Sequence, residues 1–163
     1  MGKVKYSIVF GGENAFYKMQ PFAANVTLKA KSGRYVTYDI SDGYFSLTPD
    51  GVAKVSGYTD IVISDIATSG DKVPVAMNPH MFATEMPYAA GGSTGTLTDA
   101  ILLNPTAGLS TAIIGKTIDI YVSSDVQYAD DQANDNILFV VGGDVDQNTL
   151  YTMVVTSALD QIA

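Results

Sequence analysis

The chain has 163 residues, enough for one sizeable hydrophobic core and short for two independent ones. Apolar residues make up 47% and charged residues 16%, with ten Tyr, six Phe and no Trp; the disordered and coiled-coil classes are thereby excluded. A net charge of −8 opposes a nucleic-acid surface, which works through Lys and Arg, and the lack of cysteine excludes disulfides and thiolate chemistry.

The first predicted element is "KVKYSIVF", residues 3–10, whose alternation puts Val4, Tyr6, Ile8 and Phe10 inward and Lys3, Lys5 and Ser7 outward. Its apolar core is too short for a signal peptide and Tyr6 stands where a myristoylation signal needs Ser or Thr, so no export signal, lipid anchor or membrane span is expected. "NVTLKAK", 25–31, repeats the device with Val26, Leu28 and Ala30 inward and Lys29 and Lys31 outward, and Ser32-Gly33 turns it into "RYVTYDI" as a hairpin. Further strands are predicted in "GYFSL", "VAKVSG", "DIVISD", "VPVAM", "TIDIYVS", "NILFVV" and "LYTMVV". Turn residues recur about every 8–12 positions, the spacing of sandwiches and barrels. Helix is confined to a short turn capped by Asn78 with Pro79 at its first position, and another from Thr98 through "DAILL" that Asn104-Pro105 ends. Residues 91–113 form a long loop of the kind that meets partners. "FVVGGDVDQNTLYTMVV" reads as a core hairpin with an eight-residue connection, Gly142-Gly143 supplying the positive φ of a bulge. The expected fold is all-β, a jelly-roll-like sandwich or barrel in a single domain over 1–163.

One stretch occurs twice. "NAFYKMQPFAA" at 14–24 returns as "HMFATEMPYAA" at 80–90, a shift of 66 that sets Phe16 on Phe82, Pro21 on Pro87 and Phe22 on Tyr88. Two pseudo-repeat halves, about 4–65 and 73–156, are expected, with the echoed segments as strand edges or corners and with Phe16 and Phe82 in matching environments. "DIVISD" and "DIYVSSD" lie at nearly the same interval.

Charge is uneven: residues 1–54 hold seven Lys/Arg against four acids, and 55–163 hold two against thirteen. The bland reading is a solvated acidic surface; the sharper one is a basic face that docks on an acidic partner. His80, the single histidine, stands between Pro79 and Met81 with only Glu85 nearby, five residues on and on the opposite side of an extended strand, so an exposed or interface histidine is expected rather than a base or metal ligand. "DVQYADDQANDN", 125–136, has clustered oxygens for a hard cation but adjacent Asp130-Asp131, no Gly and strand flanks; an acidic turn bonding its own backbone is the favoured reading over calcium. The Gly doublets lack the Lys-Ser/Thr of a phosphate loop. No cofactor, no metal and no enzyme activity are expected, since no nucleophile is paired with a base.

Met86-Pro87, Gly115-Lys116-Thr117 with Asp119, Gln127 with Ala129-Asp130, and Val141-Gly142-Gly143-Asp144 before a final strand together resemble the capsid cement or decoration proteins of tailed bacteriophages. "FYKMQPFAA" and "DGVAKVSGYT" extend the resemblance over most of the chain, although Glu85 and Ile118 stand where members carry a basic residue and a cysteine. The resemblance implies a homotrimer on the outer surface of the virion capsid, made in the host cytoplasm, that clamps the major capsid protein without nucleic acid or membrane as a partner. Contacts are expected through Lys3, Lys5, Phe16, Phe22, Lys29, Lys31, Phe82, Met86 and Tyr88. The alternative, from another class, is a small β-sandwich carbohydrate-binding or host-adhesion module, its tyrosines stacking on sugars.

Overall fold

The computed structural model describes residues 8–103, 112–132 and 134–160. Those residues form an all-β fold: β1 (Ile8–Phe10), β2 (Tyr17–Pro21), β3 (Tyr35–Asp39), β4 (Tyr44–Leu47), β5 (Gly57–Tyr58), β6 (Lys72–Ala76), β7 (Ala83–Ala90), β8 (Ser93–Thr94), β9 (Thr117–Ser123), β10 (Val126–Asp130), β11 (Leu138–Asp144) and β12 (Thr149–Val154). One helix, α1 (Asp99–Leu102), starts at Thr98, whose hydroxyl accepts from the Ile101 N–H as the N-cap. Asn78-Pro79 yields a single 3-10 turn, Pro79–Met81.

The strands divide into two sheets, and each closes on itself. β7 pairs with β10 on one side and β12 on the other, so β7-β10-β9-β11-β12 is a five-membered ring with β1 and β8 attached to β7. The other sheet runs β2-β6-β5-β3-β4, and a parallel bridge from Phe22 to Phe45 brings β4 back to the end of β2.

The two rings share one topology and one register. Pro21 opposite Lys72 matches Pro87 opposite Thr149, and Tyr35 opposite Tyr58 matches Thr117 opposite Phe139. Tyr58 opposite Ala76 matches Phe139 opposite Met153, and the parallel Phe22–Phe45 bridge matches Tyr88–Ala129. Interior positions correspond as well: Phe22 and Tyr88, Val36 and Ile118, Phe45 and Ala129, Val73 and Leu150 are all buried. The repeating units are therefore 17–76 and 83–154, not 4–65 and 73–156, because β6 completes the first ring. The echoed segments are integral strands rather than corners. Their prolines fit because the Phe22 and Tyr88 N–H groups donate across the ladder to Asp71 and Asn148. Alternation then turns the nitrogens of Pro21 and Pro87 to the other side, where at Pro87 neither β1 nor β10 is paired.

Elsewhere the sequence pattern and the structure part company. Residues 25–31 are not a strand: Asn25 and Lys31 take left-handed backbone (φ 68° and 57°). Leu28 makes only a bridge to Ile63, so 25–28 and 63–66 form a loose lid whose Leu28 and Ile66 plug the first ring. "DIVISD" belongs to that lid and is not equivalent to β9. β3 pairs with β4 and β5, so the hairpin expected from 25–40 is absent. Phe10 is half-exposed rather than inward. β11 continues through Gly142-Gly143 to Asp144, leaving a four-residue connection. Neither glycine has positive φ; a Cβ on Gly143 would come within 2.9 Å of Leu102 Cδ1 and of the Thr149 carbonyl, so close packing is what requires glycine there.

The rings meet through the outer face of the first. Tyr35 and Tyr58 are adjacent on that face with centroids 5.2 Å apart, and Tyr58 stacks edge-on to Phe82 of the second ring at 5.9 Å. Alternation explains why β3 is buried on both sides: Tyr35 faces the second ring and Val36 fills the first. Gln127 stitches this seam. Its Oε1 accepts from the Tyr35 N–H (2.9 Å), its Nε2 donates to the Tyr35 and Thr48 carbonyls (3.1 and 3.0 Å), and its N–H donates to Ser32 Oγ (2.7 Å). Tyr35 Oη lies 2.7 Å from Thr84 Oγ1.

Candidate interaction faces

Among the described residues the exposed Phe and Met side chains fall on two places that the ring topology defines. On the second ring, β11 and β12 turn Phe139 (38% exposed) and Met153 outward as a cross-strand pair, and Gly142 opposite Tyr151 leaves that phenol ring uncovered by a neighbouring Cβ. Phe10 of β1 meets Tyr151 edge-on at 6.3 Å. Phe10 and Met153, with Met81, Phe82 and Val141, line a shallow groove of about 190 Å³. Tyr151 carries a raised pKa because it is partly desolvated and faces the carboxylates of Asp144 and Glu85, so the apolar face has an acidic border. On the first ring, Phe16 (58%) and Met19 (56%) stand in solvent at β2.

Charge follows the same division. Residues 17–76 carry six cations and six acids, whereas 83–154 carry nine acids and one cation, Lys116. The whole formal net charge of −8 thus equals that of the second unit. Asp119 and Asp130 oppose each other across β9 and β10, and both are buried. Desolvation first, then the charges of Asp130, Asp135 and Asp50, pushes the Asp119 carboxyl up to about 6.

The acidic stretch 125–136 is in part regular structure. Ser124 and Asp125 both take left-handed backbone (φ 52° and 63°) and close a two-residue hairpin between β9 and β10. Asp130 Oδ1 accepts from the N–H groups of Gly92 (3.1 Å) and Gln132 (3.3 Å), and Asp131 accepts from Gly91 N–H (2.8 Å) and Tyr88 Oη (2.7 Å). These carboxylates anchor the turn after β7. Among the described residues no group of three His, Cys, Asp or Glu converges as metal ligands would. His80 sits half-buried in the 3-10 turn, and Glu85 accepts from Thr149 Oγ1 (3.1 Å), a diagonal neighbour across the ladder.

The residues expected to make contacts are scattered. Phe22, Phe82, Met86 and Tyr88 are almost fully buried, so they hold the core and the seam instead of presenting a surface. Lys29 Nζ donates to the Ser124 carbonyl at 2.6 Å, tying the lid to the β9–β10 hairpin, and Lys31 is exposed at its left-handed turn. Lys3 and Lys5 lie outside the described residues. Phe16 alone among the expected aromatic residues is on the surface, and its environment does not match that of Phe82, which is 1% exposed. Sequence reasoning misses Phe139, Met153, Tyr151 and Met81. In "LFVV" four apolar residues in succession hide which of them faces outward; only alternation anchored on Leu138 and Val140, once known to be inside, marks Phe139.

No family model, curated protein or solved structure matches this chain.

Proposed function

We propose that this protein is a structural interaction protein of the phage capsid-decoration kind, a homo-oligomer that seats on the outer surface of an assembled head and clamps neighbouring major capsid subunits. The observation that carries this reading is the display of large apolar side chains on both rings, Phe16 and Met19 on one and Phe10, Met81 and Phe139 on the other. Apolar side chains displayed on both ring-closed sheets suit contacts with neighbouring subunits, and many modest contacts acting over an array replace high affinity at each one. The motif resemblance over both halves supports the same assignment. The test is recovery of the protein with purified particles at a fixed copy number relative to the major capsid subunit; its absence from washed particles refutes the assignment.

A second reading, a carbohydrate-binding module, draws on Tyr121 and Tyr128, which pair across β9 and β10 with centroids 5.9 Å apart. A glycan array decides it: binding that is lost on Tyr128→Ala favours this reading over capsid decoration.

A further inference from the structure

The shared register of the two rings identifies a surface and its occupant. Inside the chain, Tyr58 on the outer face of the first ring packs against Phe82, which directly precedes β7 of the second. The position equivalent to Tyr58 is Phe139, and the position equivalent to Phe82 is Phe16. Both are aromatic, and both are exposed, at 38% and 58%. Tyr58 lies opposite Ala76 as Phe139 lies opposite Met153, so the outer face that the first ring buries inside the chain has an apolar counterpart on the second, where Phe139 is exposed and Met153 partly so. The chain therefore exposes both halves of an interface it already makes once internally.

We propose that copies of this chain associate head to tail by repeating that internal seam, with Phe139 and Met153 of one copy packing on Phe16 of the next. Such an interface is heterologous, joining two different patches, and it closes into a ring when the rotation per copy allows. Charge complements the packing: Lys18, the counterpart of Thr84, is exposed two residues from Phe16, while Glu85 and Asp144 border the Phe139 face. The unmatched burial of Phe16 and Phe82 follows directly, since the second lies at the internal copy of the seam and the first at the external one. The inference does not rest on the capsid assignment and holds for the isolated protein.

The chain contains no cysteine, so single cysteines report contacts without background. Phe16→Cys and Phe139→Cys proteins, each checked for native circular dichroism, are mixed and oxidised with copper phenanthroline. Expected is a disulfide-linked dimer from the mixture, absent from either protein alone, together with a concentration-dependent oligomer in light scattering whose dissociation constant rises about tenfold or more on Phe139→Ser. Cross-links formed equally by either protein alone indicate a two-fold contact and overturn the head-to-tail arrangement. A chain that stays monomeric at millimolar concentration, or an oligomer unaffected by both Phe139→Ser and Phe16→Ser, overturns the proposal as well. Failure of particle binding with the 16–139 cross-link intact removes only the capsid assignment.

Discussion

Asp119 contributes a part of the stability that runs against the usual direction of acid denaturation. Its carboxyl titrates at about 6 in the fold against 3.8 ordinarily, first because it is desolvated and then because Asp130, Asp135 and Asp50 surround it with negative charge. A raised carboxyl pKa means that the folded state holds the proton more tightly than the unfolded chain. The folded state is therefore favoured at low pH, loses that advantage as pH rises from about 4 to about 6, and is level above. Two pKa units correspond to about 3 kcal/mol, and solvent and salt screening of the Coulombic part reduces the expected effect to about 1–2 kcal/mol. Asp119→Asn removes the charge and keeps the shape, so at pH 7.5 it should be more stable than the parent by about 1 kcal/mol, with equal stability near pH 4. Urea unfolding followed by tyrosine fluorescence at pH 4.5, 5.5, 6.5 and 7.5 measures the difference between the two proteins, in which all other carboxylates cancel. An Asp119→Asn protein no more stable than the parent at pH 7.5, with the same pH slope, refutes the account.

The seam between the rings supplies three further tests. Gln127→Leu strips the Tyr35 N–H and the Thr48 carbonyl of buried partners and should cost about 2–5 kcal/mol in urea unfolding; a loss below about 0.5 kcal/mol contradicts its stitching role. Gly33→Ala places a methyl against Met86 Cε and 2.9 Å from Gln127 Oε1, so a loss of about 1–3 kcal/mol is expected, and an unchanged melting temperature contradicts the packing. Phe82→Ala should cost about 3–5 kcal/mol, whereas Phe16→Ala, its counterpart, should change the stability of the dilute monomer by less than about 0.5 kcal/mol; equal effects would deny that one site is buried and the other free.

The duplication is legible in the sequence only where the two units keep one offset. From β2 to β7 the shift is 66, and the motif is visible; Val36 and Ile118 are 82 apart, Phe45 and Ala129 are 84, Tyr58 and Phe139 are 81, Ala76 and Met153 are 77. Loops of different length on the two rings shift the offset at each strand, so a fixed-period comparison fades after the first match while the ladder register persists. β9 is legible to the residue because "TIDIYVS" alternates between a Gly115 turn and the Ser124-Asp125 hairpin. The stretch 25–31 passes for a strand because period-two alternation describes any extended segment with one side against a core, and the left-handed backbone at Asn25 and Lys31 leaves no trace in the hydrophobic pattern.

The positions that diverged between the units are informative in the same way. Interior counterparts such as Val36 and Ile118 or Val73 and Leu150 are apolar in both units, as packing demands, while counterparts on the outer faces differ more. Tyr35 on the outer face of the first ring corresponds to Thr117 on the second. Yet the outward positions on β11 and β12 remain Phe139 and Met153, beside a Tyr151 that a glycine leaves open. In the head-to-tail arrangement proposed above, both aromatic counterparts, Phe139 on one ring and Phe16 on the other, would be covered, and the acidic second unit set against a neutral first unit would give that seam a direction.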